Sequence, residues 1–384
     1  MHFHVITSTA CNSKCRYCYQ KGFNDDCGGM SLNEKFSWDF STPYKINYSV
    51  GKLKDFLLRS KDSSSHTVTF YGGEPLLQKS SIIKIIDDLS PLGVKFMIQT
   101  NGLLLDKLPS DYTNKFSRVL VSLDGSEELT DFNRGVGTYK RVVDNLKFIR
   151  DKGFTGEVVV RMVVDEETLN HGGLLVNIKH LFSLGIIDSV HWQLDAGFYE
   201  YDYKVRDFKA FVNDYNSQID ETIDWWVDNL KNGKVLMIYP FVGIIHSLLF
   251  NDDSGLLKCG SGFSNYTIST NGNIAVCPIM HDATNFQVGK INDSDTTPDN
   301  LKKVSVEGFC VGCDYLDVCG GRCLYANKAE LWPSEGQDLI CVTIKHLIDS
   351  LKTKLPLINE LISKGVISKE SFVYEKYSGP EIIP

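Results

Sequence analysis

Short runs rich in β-branched and aromatic residues recur through the first half of the chain, and longer amphipathic stretches alternate with them. The runs are Phe3–Thr7, Thr67–Tyr71, Val94–Ile98, Val119–Leu123, Glu157–Val164 and Ser189–Gln193. The stretches with helical periodicity lie near Val50–Arg59, Ser81–Leu89, Tyr139–Lys152 and Leu174–Leu184. Strand and helix in this order and spacing predict a parallel sheet with helical crossovers. Six such units are too few for a closed eight-stranded barrel, so the expected α/β fold is a partial (β/α)6 TIM-like barrel. In parallel sheets of this kind, chemistry sits at the carboxyl ends of the strands. The residues just beyond each run are therefore where function is to be sought.

Composition excludes several classes of function. The net charge of −8 argues against nucleic acid as a partner, since phosphate binding needs clustered Lys and Arg. The basic run Lys52, Lys54, Arg59 and Lys61 reads as the solvated face of a helix. No stretch approaches about 18 uninterrupted apolar residues, and the N-terminus lacks the basic and apolar regions of a signal peptide. A cytoplasmic protein with no membrane partner is expected. With 42% hydrophobic residues over 384 positions, the chain can bury a large core and needs no metal merely to fold.

Eleven cysteines in a reducing compartment point to ligated metal rather than disulfides. Cys11, Cys15, Cys18 and Cys27 lie near the start, and the other seven fall between Cys259 and Cys341. After the first run comes Cys11-Asn-Ser-Lys-Cys15-Arg-Tyr-Cys18, a CxxxCxxC spacing on a loop. Three thiolates from one compact loop can hold three irons of a [4Fe–4S] cube and leave the fourth iron open. A structural zinc site, by contrast, closes with four ligands and favours shorter CxxC pairs. The open iron can chelate the amino and carboxylate groups of S-adenosylmethionine (SAM). This motif, with Tyr17 and Tyr19 flanking the last cysteine, resembles the signature of the radical SAM family. That resemblance implies a cleaved SAM molecule, a radical reaction, and Tyr17 close to the adenine. Cys27 is a spare thiol or a surrogate ligand.

Further motifs fall at the expected strand ends: Gly72-Gly73-Glu74-Pro75, Gln99-Thr100-Asn101-Gly102 and Ser122-Leu123-Asp124-Gly125. Glycines permit close backbone approach, and a carboxylate can accept hydrogen bonds from the SAM ammonium. Each motif alone is ordinary strand-to-helix turn chemistry. In series they match the family, which implies SAM contacts from Gly72, Gly73, Glu74, Thr100 and Asn101. By the same resemblance Ser122 and Asp124 lie near the ribose or carboxylate. Arg161 interrupts an apolar run, as a further carboxylate ligand or as one half of a buried ion pair.

The later cysteines run Cys259, twelve residues, Gly272, four residues, Cys277, and then Cys310-x2-Cys313-x5-Cys319-x3-Cys323-x17-Cys341. Paired zinc ribbons fit this spacing poorly. It resembles the SPASM domain, an iron–sulfur extension carrying auxiliary [4Fe–4S] clusters. The resemblance implies Cys259, Cys277 and Cys323 on the first auxiliary cluster, and Cys310, Cys313, Cys319 and Cys341 on the second. Residues 260–268 supply no extra cysteine, so the first auxiliary cluster is expected to keep an open iron. The expected divisions are a barrel core over 1–200, a helical bridging region over 201–255, the SPASM domain over 256–345, and a C-terminal helix and tail over 346–384.

SPASM enzymes mostly modify peptides or proteins, so the implied partners are a peptide or protein substrate and a reductant such as ferredoxin or flavodoxin. In the sulfatase-maturing branch an Asp follows the hairpin cysteine as base. Here Pro278 stands there, which argues against formylglycine formation. Asp195, Asp282 and His281 are the remaining candidate bases, each with a structural alternative. Only ten residues precede Cys11, so leader recognition is expected to need a separate leader-binding protein or another surface. The short start and the ending Val373–Pro384 resemble a little-characterised archaeal group of peptide-modifying SPASM enzymes. Trp225, Trp226 and the tyrosines of Tyr199–Lys234 read as core, with a peptide groove wall as the other reading. A radical SAM enzyme acting on a small molecule, and an iron–sulfur scaffold without catalysis, are the alternatives.

Overall fold

The computed structural model describes residues 1–19, 35–62, 65–252, 254–377 and 383–384. Cys27 lies outside them. The barrel half is built from β1 (His2–Ser8), α1 (Val50–Leu58), β2 (Thr67–Gly72), α2 (Lys79–Leu89), β3 (Lys95–Thr100), α3 (Ser110–Thr113), β4 (Phe116–Ser122), α4 (Glu127–Arg134) and α5 (Thr138–Asp151). It continues with β5 (Glu157–Val164), α6 (Glu166–Asn170), α7 (Gly173–Ser183), β6 (Ser189–Leu194), α8 (Glu200–Val205), α9 (Phe208–Lys231), β7 (Met237–Ile238) and α10 (Tyr239–Phe250). The cysteine-rich half adds β8 (Asn265–Ile268), β9 (Asn273–Ala275), β10 (Gln287–Lys290), α11 (Leu316–Cys319), α12 (Leu324–Ala329) and α13 (Ser334–Ser363).

All strands join one open sheet in the order β10-β9-β8-β1-β2-β3-β4-β5-β6-β7. Every pairing from β1 to β7 is parallel, as the crossovers require. The expected partial barrel is present, and it is longer than six strands. The two-residue β7 extends one edge, too short to leave a periodic signal. On the other edge β8 pairs parallel with β1, His2 opposite Asn265, so the sheet crosses the boundary expected at 256 without a break. The expected division between 345 and 346 falls inside the helix α13. Cys341 lies on that helix, and a boundary drawn just after the last cysteine cuts it in two.

Period-two alternation gives the barrel two different faces. Outward residues pack on the helices: Phe3 meets Phe56 of α1 edge-on, with ring centroids 5.5 Å apart. Several inward residues are polar. His2 Nε2 lies 2.7 Å from Thr69 Oγ1, and His4 Nδ1 lies 2.9 Å from Asn265 Oδ1. In register above them stand Ser122 opposite Arg161 and Val163 opposite Gln193. A polar interior on a fold whose outer layer is apolar marks the inside of the barrel as a place for ligands rather than core. The aromatic bridging region sides with the core: Trp226 is fully buried and donates Nε1–H to the Leu236 carbonyl at 2.9 Å.

Candidate active site

The loop after β1 is held by helix α4 and by the ends of neighbouring strands. Arg16 N donates to Asn133 O at 2.9 Å, and Asn101 Nδ2 donates to Asn12 Oδ1 at 2.7 Å and Ser13 Oγ at 3.1 Å. The same amide stands 3.8 Å from Cys11 Sγ. Gly73 N donates to Ser8 O and Glu74 N to Ala10 O, both at 2.8 Å. This contact explains the glycine pair. A Cβ on Gly72 would sit 2.0 Å from Ser8 O and one on Gly73 2.3 Å from Ala10 O, so only glycine lets the turn pass under the cysteine loop.

Above the barrel mouth lies an open cavity enclosing about 1580 Å³. Cys11, Cys15 and Cys18 line it on one side, and Cys259, Cys277 and Cys323 on the other. Tyr17, Gly72, Gly73, Thr100, Asn101, Ser122 and Arg161 line it between them. Cys310, Cys313, Cys319 and Cys341 converge on a second cavity of about 780 Å³, which Cys323 also reaches. Cys11, Cys15 and Cys18 thus share one cavity with Cys259, Cys277 and Cys323, and Cys310, Cys313, Cys319 and Cys341 share another.

Two predicted SAM contacts stand elsewhere. Glu74 is fully buried and is absent from the cavity wall. Its Oε1 accepts from Leu76 N at 3.0 Å and Thr100 Oγ1 at 2.8 Å, and its Oε2 accepts from Asn101 N at 2.8 Å. The carboxylate is the pin between the ends of β2 and β3, and burial raises its pKa. Asp124, also fully buried, accepts from Tyr17 Oη at 2.5 Å and from Val163 N at 3.1 Å. Arg134 clamps it with Nε at 2.8 Å and Nη2 at 3.0 Å. Asp124 orients Tyr17 and Arg134, and these two face the cavity in its place. In the sequence Arg134 shows only as an arginine ten residues beyond an aspartate at a strand end.

Arg161 lines the cavity and donates from Nη1 to Gln99 Oε1 at 3.0 Å. Of the candidate bases only Asp195, directly after β6, reaches the cavity. Asp282 accepts from Thr42 Oγ1 at 2.8 Å and lies 2.9 Å from His281 Nδ1, and neither residue faces it. Asp195 sits in a group of carboxylates around one cation. Arg206 binds Glu166 at 2.8 Å and Asp202 at 3.4 Å, and its Nη1 donates to Asp195 O at 2.6 Å while standing 4.0 Å from Asp195 Oδ2. Burial pushes the Asp195 carboxyl up to about 7; Arg206 opposes this, and Asp202, Asp165 and Glu166 add to it. Pro278, which offers no proton-transfer group, also lines the cavity.

The thiols fit iron–sulfur clusters better than single ions. Among the described residues no three His, Cys, Asp or Glu side chains close on one point that a lone ion could take. A cube takes one thiolate per iron, so its ligands stand apart around a volume. Burial raises the thiol pKa of Cys277, reinforced by Cys323 and Cys259, and pushes Cys319 up to about 11. Such thiols need a metal's positive charge to ionise at neutral pH.

A parallel partial barrel whose first strand delivers three cysteines to a cavity at the strand ends is the arrangement of a radical SAM domain, and residues 5–176 match the Radical SAM superfamily. The chain is 23% identical over 350 residues to the cysteine-type anaerobic sulfatase-maturating enzyme of Clostridium perfringens, covering 82% of this chain and 86% of that one. It is 25% identical over 347 residues to an uncharacterized protein of Archaeoglobus fulgidus, covering 87% and 75%. Its fold is that of native anSMEcpe with bound AdoMet, at a TM-score of 0.69 and 17% identity, over 95% of this chain and 100% of that one. Streptococcus suis SuiB bound to precursor peptide SuiA shares the fold at a TM-score of 0.54 and 15% identity, over 86% and 72%. Among the described residues no helix is long and apolar enough to cross a membrane.

Proposed function

We propose that the protein cleaves SAM reductively to a 5′-deoxyadenosyl radical and uses it to modify a side chain of a peptide or protein, in the manner of ribosomal peptide maturation. One observation carries this reading: a single cavity is shared by the Cys11, Cys15 and Cys18 loop and by Cys259, Cys277 and Cys323. Cys11, Cys15 and Cys18 would hold a [4Fe–4S] cluster that would supply the electron for SAM cleavage, and the other two sets would hold auxiliary clusters. The cavity wall does the rest. Asn101 fixes the cysteine loop, Tyr17 and Arg134 are set by Asp124, and Ser122 and Arg161 offer polar groups to the ribose and carboxylate of SAM. Asp195, on the same wall, takes a proton from the substrate. The fold relatives favour a peptide: a related structure holds anSMEcpe with AdoMet and the Cp18Cys peptide, and another holds SuiB with its precursor peptide. A ferredoxin or flavodoxin is the proposed reductant.

The test is anaerobic reconstitution followed by assay of 5′-deoxyadenosine. About twelve irons per chain are expected, and about eight after joint replacement of Cys11, Cys15 and Cys18 by Ala. That variant should release no 5′-deoxyadenosine, and release by it would refute the assignment. Peptides encoded beside the gene, deuterated at candidate positions, should pass label into 5′-deoxyadenosine; label from small molecules alone would move the substrate class.

A further inference from the structure

Arg322 is the buried cation placed between the two auxiliary cysteine cavities. It lines both, and so does its neighbour Cys323. Only 8% of the residue is exposed. Its backbone has φ +58, a left-handed conformation that non-glycine residues adopt at a cost. Gly320 and Gly321 before it are left-handed as well, so the chain turns tightly between Cys319 and Cys323. The side chain is spread over main-chain oxygens. Nε donates to Pro384 O at 2.8 Å, and Nη2 donates to Leu194 O at 3.2 Å and Ala196 O at 3.3 Å. Among the described residues no acidic side chain pairs with it. Its electrostatic neighbours are the thiols of Cys323, Cys319 and Cys341, which belong to both auxiliary sets.

A guanidinium does not deprotonate in proteins, so this charge is permanent. Strained backbone and a buried charge that no described acidic side chain pairs with are tolerated where function holds them. We infer that Arg322 is a positioning residue of the electron-transfer machinery: its fixed positive charge, beside ligands of both auxiliary clusters, raises the reduction potentials of both. A positive charge stabilises the reduced, more negative form of any cluster near it. The Leu194 and Ala196 bonds give the same side chain a second effect, because they flank Asp195 and hold the end of β6. The catalytic loop has its own cation, Arg134, beside Cys15. The inference rests on the proposed presence of auxiliary clusters.

The test is an EPR-monitored redox titration of the full chain carrying Ala at Cys11, Cys15 and Cys18, so that only auxiliary clusters report. Arg322→Gln should move both midpoints to lower potential, and Arg322→Lys, which keeps the charge, should stay near the parent value. Lysine lacks the planar fork, so with the catalytic loop intact Arg322→Lys should still shift the pH profile of product formation through Asp195. Unchanged midpoints in a fully loaded Arg322→Gln protein overturn the inference. If Arg322→Gln fails to assemble, Arg322→Lys decides: a midpoint well below the parent value overturns it. A parent that binds no more than adventitious iron defeats the auxiliary-cluster reading itself, a result distinct from loaded clusters whose midpoints ignore residue 322.

Discussion

Asp195 and Glu74 are both carboxylates near the end of a parallel strand, and their surroundings give them opposite work. Three donors answer Glu74, so its charge is spent on holding β2 to β3. Glu74→Ala would orphan all three, at a cost of about 3–5 kcal/mol. Anaerobic denaturant unfolding should show that loss, with SAM binding falling only as the fold does. Asp195 is short of donors, and burial with Asp202, Asp165 and Glu166 outweighs Arg206, so its carboxyl titrates at about 7. Between about pH 4 and 7 the unfolded chain ionises this group while the folded chain keeps it protonated, so stability falls as pH rises. The decline ends above the folded value. Asp195→Asn should flatten it, seen as a smaller difference in unfolding midpoint between pH 5 and pH 8. As the proposed base, Asp195 would work only when ionised, so product formation should rise through pH 7. The Asn variant should lose about a hundredfold or more of product while still cleaving SAM. Full product formation with an unaltered pH profile would remove Asp195 from the reaction.

The turn at Gly72 and Gly73 shows why an element can be legible while its purpose is not. The glycines, the strand before them and the loop with Cys11 can all be read from the sequence. What they touch is not, since the contact joins residues 73 and 74 to residues 8 and 10 across the sheet. Gly73→Ala places a methyl group 2.3 Å from Ala10 O, where backbone rather than a flexible side chain must yield. The expected cost is about 1–3 kcal/mol or more, delivered to the cysteine loop. Reconstituted Gly73→Ala should therefore lack about four irons, those of the catalytic cluster, while the auxiliary complement persists; a full iron count would show that the loop can give way. The strands of the barrel were readable because β-branched runs with flanking turns carry a local signal, and Glu157–Val164 is bounded identically in sequence and structure. Helix α4, reading Glu-Glu-Leu-Thr-Asp-Phe-Asn-Arg, has little apolar face to find, although Ser126 Oγ caps it by accepting from Leu129 N at 3.3 Å. The roles of Glu74, Asp124 and Arg322 were hidden for a common reason: each is set by partners far away in sequence.

At the scale of the whole molecule, the cysteine-rich half completes the barrel sheet. β1 is buried along its whole length and lies between β2 and β8, so one of its two hydrogen-bonding edges is closed over His2–Val5 by residues beyond 256. His4 finds its partner in Asn265, and Phe208 of α9 packs edge-on against Trp332, with ring centroids 4.7 Å apart. A chain ending at 255 would expose an apolar edge strand with unpaired backbone groups and strip a face from α9, the two conditions that favour aggregation. The fragment 1–255 is therefore expected to express poorly or to lack cooperative unfolding and near-ultraviolet ellipticity, even with its own four cysteines intact. Co-expression with residues 256–384 as a separate chain should restore solubility, because the missing contacts are surfaces rather than covalent links. A fragment 1–255 that unfolds cooperatively as a monomer would mean that the barrel stands alone and that β8 only decorates its edge.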